Sequence, residues 1–331
     1  MTHMKICVAL ATCLALAAGV QAQAADLVKI VIGGGAPFWD TNIPEVAKQK
    51  GFLEDEGIEI ERLEARGGGD ILRVLLAAEA DLVGGVGLLS VFSAYEAGAP
   101  LKIIGNQMNT PYDVVWYVKA DSPIKSLADM PGHTIAYSSP GSSTNMVIIA
   151  LQEELKASGL GEMKPVATGG FGDTYTQVIS GQVDAGFTSV PFMHDKVLAG
   201  DVRYVFAASE AKGFQDVSMR VYVASNPFLE QRRDVAVRAM RAFQKAIDWM
   251  YANPAEAKAI LAAALKVDVS TIPDMEGRIP KKALDLANVG GVEHSYEVAR
   301  ANDFIKTELT ADDFKKLVDT SVVTEAVAGL K

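Results

Sequence analysis

Cysteine is nearly absent from this chain. The two that occur, Cys7 and Cys13, both lie in the N-terminal apolar stretch. The rest of the chain therefore offers no disulfide framework, no thiol nucleophile and no thiolate metal ligand. Histidine is scarce as well, and His133, His194 and His294 have no second His or Cys at the spacing of a zinc site. We expect neither a metal nor a cofactor.

An excess of positive charge is also missing. Lys and Arg number 31 against 41 Asp and Glu, which gives a formal net charge of −10. Nucleic-acid-binding domains usually carry a basic footprint, so we expect no nucleic-acid partner. Three enzyme signatures are absent too: the Gly-x4-Gly-Lys-Ser/Thr phosphate loop, the Gly-x-Ser-x-Gly elbow, and the third glycine of a dinucleotide fingerprint after Gly33-Gly34-Gly35. The chain is therefore not expected to be an ATPase itself.

Long apolar runs are limited to one near the N-terminus. Lys5 precedes the apolar stretch from Ile6 to Val20, and Ala22-Gln23-Ala24 supplies small residues. This is the pattern of a secretion signal, which we expect to be cleaved near Ala24/Ala25. The run is too short to span a bilayer, so we expect a soluble product in the periplasm.

A repeated pattern is the strongest feature that the sequence does contain. Gly69-Asp70 is followed by Asp81, and Gly172-Asp173 is followed by Asp184 at the same spacing. Each copy follows a glycine run and leads into an apolar run, which predicts a loop, an Asp N-cap, a short helix and a buried strand. Coincidence is the alternative, because Gly-Asp before a helix is common. We favour two similar α/β lobes with a cleft between them.

Alternating strands and helices predict a mainly parallel sheet flanked by helices in each lobe, an α/β fold. Among these elements, 101–104 and 134–137 are predicted as strands, and a helix is expected at Pro191. The last third reads as helical, and we expect it to pack on the first lobe. The predicted division is a signal peptide at 1–24, the first part of lobe 1 at 25–113, lobe 2 at 114–221, and a return to lobe 1 at 222–331. Two crossing strands would form the hinge.

Loops that follow the strands of a parallel sheet gather at one edge, where ligands bind. The most informative loop, 138–144, combines four serines and a threonine and leads directly into a helix. Its N–H groups and hydroxyls could form an anion site, although an ordinary N-cap is the alternative. The turn 87–90 is the facing candidate. Arg66 or Arg220 could supply charge, or either could be a solvated surface group.

Aromatic side chains at these loops could sandwich an apolar ligand body, or could merely pack the rims of the lobes. The candidate ligand-binding residues are Pro37, Phe38, Trp39, Arg66, Gly87, Leu88, Ser90, Ser139, Gly141, Ser142, Ser143, Thr144, Phe171, Thr188, Phe192 and Arg220.

Five short stretches occur in a recognisable order: Val46-Ala47 to Gly51-Phe52-Leu53, Leu76 to Asp81, Gly98 to Lys102, Pro140 to Ser143, and Ala252 to Glu256. In this order the chain resembles the nitrate/sulfonate/taurine-type substrate-binding proteins of ABC importers, a family that includes binders of thiamine pyrimidine precursors. The resemblance implies a periplasmic-binding-protein fold of the second type that closes by a hinge. It also implies a membrane permease and a separate ATPase as partners, and we expect the protein to be a monomer.

The hypothesis that follows is capture of a small organic anion, a sulfonate or carboxylate that could have an aromatic body. Gly67-Gly68-Gly69-Asp70 departs from the small hydroxyl residues of sulfonate-type relatives. One alternative is therefore a pyrimidine precursor or another heterocycle, held by stacking and by Asp70 or Asp173. Another alternative is an exported enzyme on the same fold. Relatives of this fold that are enzymes would need a cysteine in the cleft. This chain has cysteine only in its N-terminal apolar stretch, so we do not expect it to be an enzyme.

Overall fold

The computed structural model describes residues 25–33, 37–65 and 68–330. The predicted signal peptide, Arg66, and part of the glycine-rich loops at 34–36 and 66–67 lie outside the described residues. In the described part of the chain, no helix combines the length and apolarity needed to cross a bilayer.

The first region builds a mixed sheet. Its elements are β1 (Asp26–Gly33), α1 (Ile43–Gln49), α2 (Phe52–Asp55), β2 (Ile58–Ala65), α3 (Gly68–Leu76), β3 (Leu82–Val86), α4 (Leu88–Glu96) and β4 (Leu101–Asn109). Strand β10 (Ser218–Ser225) returns to it much later, so that the order is β2-β1-β3-β10-β4. The pairs of β1 are parallel, whereas β10 runs antiparallel to both of its neighbours. Strand β4 extends well beyond the predicted 101–104.

The middle region forms two smaller sheets. It contains β5 (Val114–Lys119), β6 (Thr134–Tyr137), α5 (Ser143–Ala157), β7 (Lys164–Ala167), α6 (Phe171–Ile179), β8 (Gly186–Ser189), α7 (His194–Leu198) and β9 (Val202–Ala207). Strands β6 and β7 are parallel, as predicted, and a bridge between Ile135 and Ala185 links them to β8. Strand β5 is an exception to the mainly parallel pattern that is predicted, because it is antiparallel to β8 and β9. Strand β5 enters this region from the other sheet, so its direction is set by the crossing.

The last third is helical, with α8 (Asn226–Ala252), α9 (Pro254–Leu265), α10 (Met275–Arg278), α11 (Val292–Ala301), α12 (Ala311–Leu317) and α13 (Ser321–Ala328). Phe243 of α8 and Val323 of α13 share one buried core with Ile30 of β1 and Tyr222 of β10. The C-terminal helices therefore pack on the first sheet, as expected. The lobe boundaries at 113/114 and 221/222 stay a prediction.

The sequence repeat corresponds to a structural repeat. Helices α3 and α6 each have nine residues, and Asp70 and Asp173 are each the third of them. The predicted Asp N-cap is wrong in both copies, because Asp70 and Asp173 each lie inside the first turn of the helix, near its positive end; the N-cap of α6 is Gly170. The second aspartate holds a neighbouring strand in both copies. Asp81 accepts the Lys29 N–H at 3.0 Å and Asp184 accepts the Thr134 N–H at 2.8 Å.

The two repeated helices also end alike, with one difference that can be tested. Ala78 has φ of 57° where the second copy has Gly181 with φ of 77°. Both residues are exposed, and the backbone N–H of each donates to the carbonyl three residues back (3.1 Å to Leu75 and 3.0 Å to Val178). Both helices therefore end on a residue in the left-handed conformation. Replacing Ala78 by glycine should raise the free energy of unfolding by about 1 kcal/mol, because glycine adopts this conformation without strain. Urea denaturation measures this free energy of unfolding, and Gly181→Ala should lower it.

Candidate functional site

The turn 87–90 and the loop 138–144 were predicted to face each other, and the structure brings them into direct contact. The Ser90 N–H and hydroxyl both donate to the Gly141 carbonyl, at 3.2 and 3.0 Å. A Cβ built on Gly87 would lie only 2.7 Å from the Ser143 nitrogen. The N-termini of α4 and α5 are therefore adjacent, and each is a positive helix end.

Most hydroxyls of the 138–144 loop are used within the loop. Ser142 is the N-cap of α5, because its hydroxyl accepts the Asn145 N–H at 3.2 Å. The Thr144 hydroxyl accepts the Ser138 N–H at 3.0 Å and lies 3.1 Å from that of Ser142. The Ser139 hydroxyl is buried and has no hydrogen-bond partner among the described residues. The Ser139 hydroxyl, unlike that of Ser142, thus remains for a ligand.

Four phenylalanine rings lie together across the two regions. Phe38, after β1, meets Phe171 of α6 edge-on with 5.9 Å between ring centroids. Phe171 also contacts Phe192 at 5.2 Å and Phe187 at 5.4 Å. Thr188 fixes the loop after β8 by donating its hydroxyl to the Phe192 carbonyl at 3.0 Å. Phe187 was missed in the sequence, where it reads only as one apolar residue of a strand.

Two other predicted residues point into the protein core. Trp39 is fully buried, and its ring packs against Tyr251 with 6.2 Å between centroids. It belongs to the core beneath the C-terminal helices, whereas its neighbour Phe38 belongs to the other core cluster. Leu88 is fully buried as well. The structure places Trp39 and Leu88 as packing residues, while Pro37 is half-buried beside Phe38.

Arg220 is neither a surface group nor an unpaired cation. Its Nε donates to Asp40 at 2.9 Å and its Nη2 donates to Asp113 at 2.7 Å. Both carboxylates are fully buried, and the arginine is 4% exposed. The guanidinium carbon lies 5.6 Å from the centre of the Phe38 ring. A buried ion triad therefore borders the phenylalanine cluster.

The triad is the middle of a longer hydrogen-bond network. Gln107 donates its Nε2 to Asp40 Oδ2 at 3.0 Å and accepts the Gly85 N–H at 2.5 Å. On the other side, the Ser189 hydroxyl donates to Asp113 Oδ2. The network thus connects β3 and β4 of the first sheet to the end of β8.

One atom of this network lacks a partner. Asp40 Oδ1 is buried and makes no hydrogen bond to the described residues. Burial raises the pKa of Asp40 to about 6, a shift that the Arg220 charge opposes and Asp113 reinforces. Asp40 and Asp113 were not predicted as site residues, because nothing in the sequence shows that they converge.

A cavity of about 420 Å³ opens beside the contact between the two turns. It is lined by residues that include Leu72, Ser93, Pro140 and Phe304. Among the side chains that the structure describes, no group of three His, Cys, Asp or Glu is placed to hold a metal ion. The site consists of two helix ends, a hydroxyl loop, an aromatic cluster and a buried ion triad.

Comparison with known proteins gives these features a context. A model of the NMT1/THI5-like family matches residues 45–257. A protein of Escherichia coli strain K12 that is named for aliphatic sulfonate binding is 26% identical over 230 residues, which are 69% of each chain. A 4-amino-5-hydroxymethyl-2-methylpyrimidine phosphate synthase of Uromyces fabae is 24% identical over 219 residues. That match covers 63% of this chain and 62% of the enzyme.

Solved structures share the fold. The alkanesulfonate-binding protein SsuA of Xanthomonas axonopodis pv. citri, bound to MOPS, superposes with a TM-score of 0.71 at 19% sequence identity. That match covers 86% of this chain and 96% of SsuA. The likeness confirms the predicted periplasmic-binding-protein fold.

Proposed function

This chain belongs to the NMT1/THI5-like family, and from that premise we propose that it is the periplasmic solute-binding component of an ABC importer. It would capture a small molecule between its two lobes and deliver it to a membrane permease with a separate ATPase. The sulfonate-binding name of the Escherichia coli relative supports this role. The candidate signal peptide supports a periplasmic location.

The proposed ligand is a small organic anion with an apolar or aromatic body. The observation that carries this proposal is the meeting of two helix N-termini, at Gly87 and Ser143, between the same two regions that the phenylalanine cluster also joins. Positive helix ends favour a carboxylate or sulfonate, and the free Ser139 hydroxyl adds a donor. The rings of Phe38, Phe171 and Phe192 would pack the body of the ligand.

A pyrimidine is the second candidate ligand. It is favoured by the relatives named as pyrimidine phosphate synthases, and by the unpartnered Asp40 Oδ1, which could accept a hydrogen bond from a ring amine. An exported enzyme on this fold is the alternative of another class.

A ligand panel separates these candidates. The purified mature protein is mixed with benzenesulfonate, benzoate, taurine and 4-amino-5-hydroxymethyl-2-methylpyrimidine, and melting temperature and tryptophan emission are recorded. A ligand at one hundred times its Kd should stabilise the protein by about 2.7 kcal/mol. Trp116, fully buried and stacked on Phe206 at 5.4 Å, offers one emission reporter.

The result expected is stabilisation by an aromatic anion that weakens as salt rises, because a charge-held ligand is screened by salt. Stabilisation by the pyrimidine alone, independent of salt, would favour the second candidate. Chemical turnover of a bound compound by the pure protein would favour an enzyme. A panel without any effect on melting or emission would contradict solute binding of these classes.

A further inference from the structure

We propose that the binding of an anion in this cleft is coupled to the uptake of one proton by Asp40, an inference that rests on the proposed function. The charge balance of the ion triad carries it. Asp40 and Asp113 are fully buried and share a single guanidinium, that of Arg220. With both carboxylates ionised, the triad bears a net charge of −1 away from water.

Arg220 and Asp113 are the charged groups that act on Asp40 itself. Farther out, Arg62 of β2 acts on Tyr222 and Glu276 of α10 acts on Tyr251, so these outer groups are one charge of each sign. Asp40 is surrounded by Arg220 and Tyr222 of β10, Gln107 of β4, Asp113, and Tyr251 of α8. Gln107 is uncharged, and burial raises the pKa of both tyrosines above the usual range, so they stay neutral. A proton is the simplest way to neutralise the triad, and the unpartnered Oδ1 of Asp40 is a free position for it.

The triad lies close enough to the proposed ligand position to act electrostatically on a bound anion. The Arg220 guanidinium is 5.6 Å from the Phe38 ring, and Phe38 in turn contacts Phe171 across the cleft. Nε and Nη2 of Arg220 are bonded to the two carboxylates, and Nη1 makes no hydrogen bond to the described residues. An anion beside Phe38 would be repelled by a triad of net charge −1. It would not be repelled once Asp40 is neutral.

The sign of the pH dependence follows from this. Below a pH of about 6, Asp40 is already protonated in the free protein, so affinity should not change with pH. Above a pH of about 6, each anion that binds must be accompanied by one proton, which Asp40 takes up. The Kd of the anion should then increase with pH, by at most about tenfold per pH unit, the limit for one proton. A neutral ligand would show no such dependence, and a cation would show the opposite one.

Calorimetric titration with benzenesulfonate, which stays ionised throughout, tests the coupling at pH 5.5, 6.5, 7.5 and 8.5. At each pH above 6 the measurement is repeated in two buffers of different ionisation enthalpy, so that proton uptake appears directly in the wild-type protein. We expect a Kd that increases severalfold between pH 6.5 and 8.5, with an enthalpy that depends on the buffer.

Variants give a second, independent readout. Asp40→Asn keeps the shape of the side chain but cannot titrate, so it should bind at pH 8.5 as tightly as the wild type does at pH 5.5. Asp234→Asn removes an exposed carboxylate of α8 that pairs with Arg238, and should keep the wild-type pH dependence.

The outcomes separate the two proposals. A Kd that is equal at all four pH values, without a buffer effect, would overturn the coupling and leave anion binding intact. Absence of binding by benzenesulfonate and by every other anion of the panel would overturn the proposed ligand class, and the coupling with it.

Discussion

Replacing Arg220 by alanine should lower the free energy of unfolding by about 3–5 kcal/mol, the usual effect of breaking a buried ion pair from one side. The guanidinium is the shared partner of Asp40 and Asp113, both fully buried. Without it, two carboxylates would face each other in the protein interior. Urea denaturation with a linear extrapolation gives the free energy directly.

The loss should depend on pH. The pKa of Asp40 is raised from 3.8 to about 6 by burial, so its contribution to stability is fully present below pH 3.8 and is lost as pH rises through about 6. Arg220 opposes the rise of this pKa because it stabilises the ionised form of Asp40, and that form predominates at pH 8 but not at pH 5. Removing Arg220 should therefore destabilise the protein more at pH 8 than at pH 5. The double variant Arg220→Ala with Asp40→Asn should recover part of the loss.

An exposed arginine serves as the matched control. Arg233 bonds Glu325 at 2.6 Å, but the side chains of both are exposed, at 37% and 58%. Arg233→Ala should cost less than about 1 kcal/mol, because solvent screens such pairs. An equally small effect of Arg220→Ala would contradict the structural role of the triad.

The local elements of this fold are well predicted from the sequence. Strand β6 is predicted residue for residue, and the repeated pattern correctly locates α3 and α6. Hydrophobic periodicity and glycine positions act within a few residues, which is why they indicate such elements reliably. The helix predicted at Pro191 begins instead at His194, a difference of boundary.

The site is predicted only in part, because its key contacts are distant in sequence. The facing of the turn 87–90 and the loop 138–144 follows from the topology of parallel α/β units. The partners of Arg220 lie 180 and 107 residues away, and no local pattern indicates that they meet. Phe38 and Trp39 are adjacent aromatics, yet they pack into different cores. The direction of each side chain depends on tertiary packing rather than on residue type.

Replacing Gly87 by valine should separate the two turns and weaken ligand binding roughly fivefold to 150-fold, the equivalent of about 1–3 kcal/mol of overpacking. A Cβ at this position would lie 2.7 Å from the Ser143 nitrogen and 3.0 Å from the Ser142 carbonyl carbon. Both are backbone atoms at the start of α5, so neither can rotate away. The φ of Gly87 is −77°, which any residue adopts, so the effect would come from the contact alone.

Two measurements separate this effect from a general loss of stability. The Ser90 amide donates to the Gly141 carbonyl across the contact, so its hydrogen exchange should accelerate in Gly87→Val while that of core amides in β1 stays slow. The Kd of the panel compound that stabilises the wild type should rise in parallel. Gly213→Ala is the control, since its nearest neighbour is the His294 Nε2 at 4.0 Å. An unchanged Ser90 exchange rate and an unchanged Kd in Gly87→Val would contradict this prediction. Such a result would mean that the start of α5 accommodates a valine, so that ligand binding does not need the close contact at Gly87.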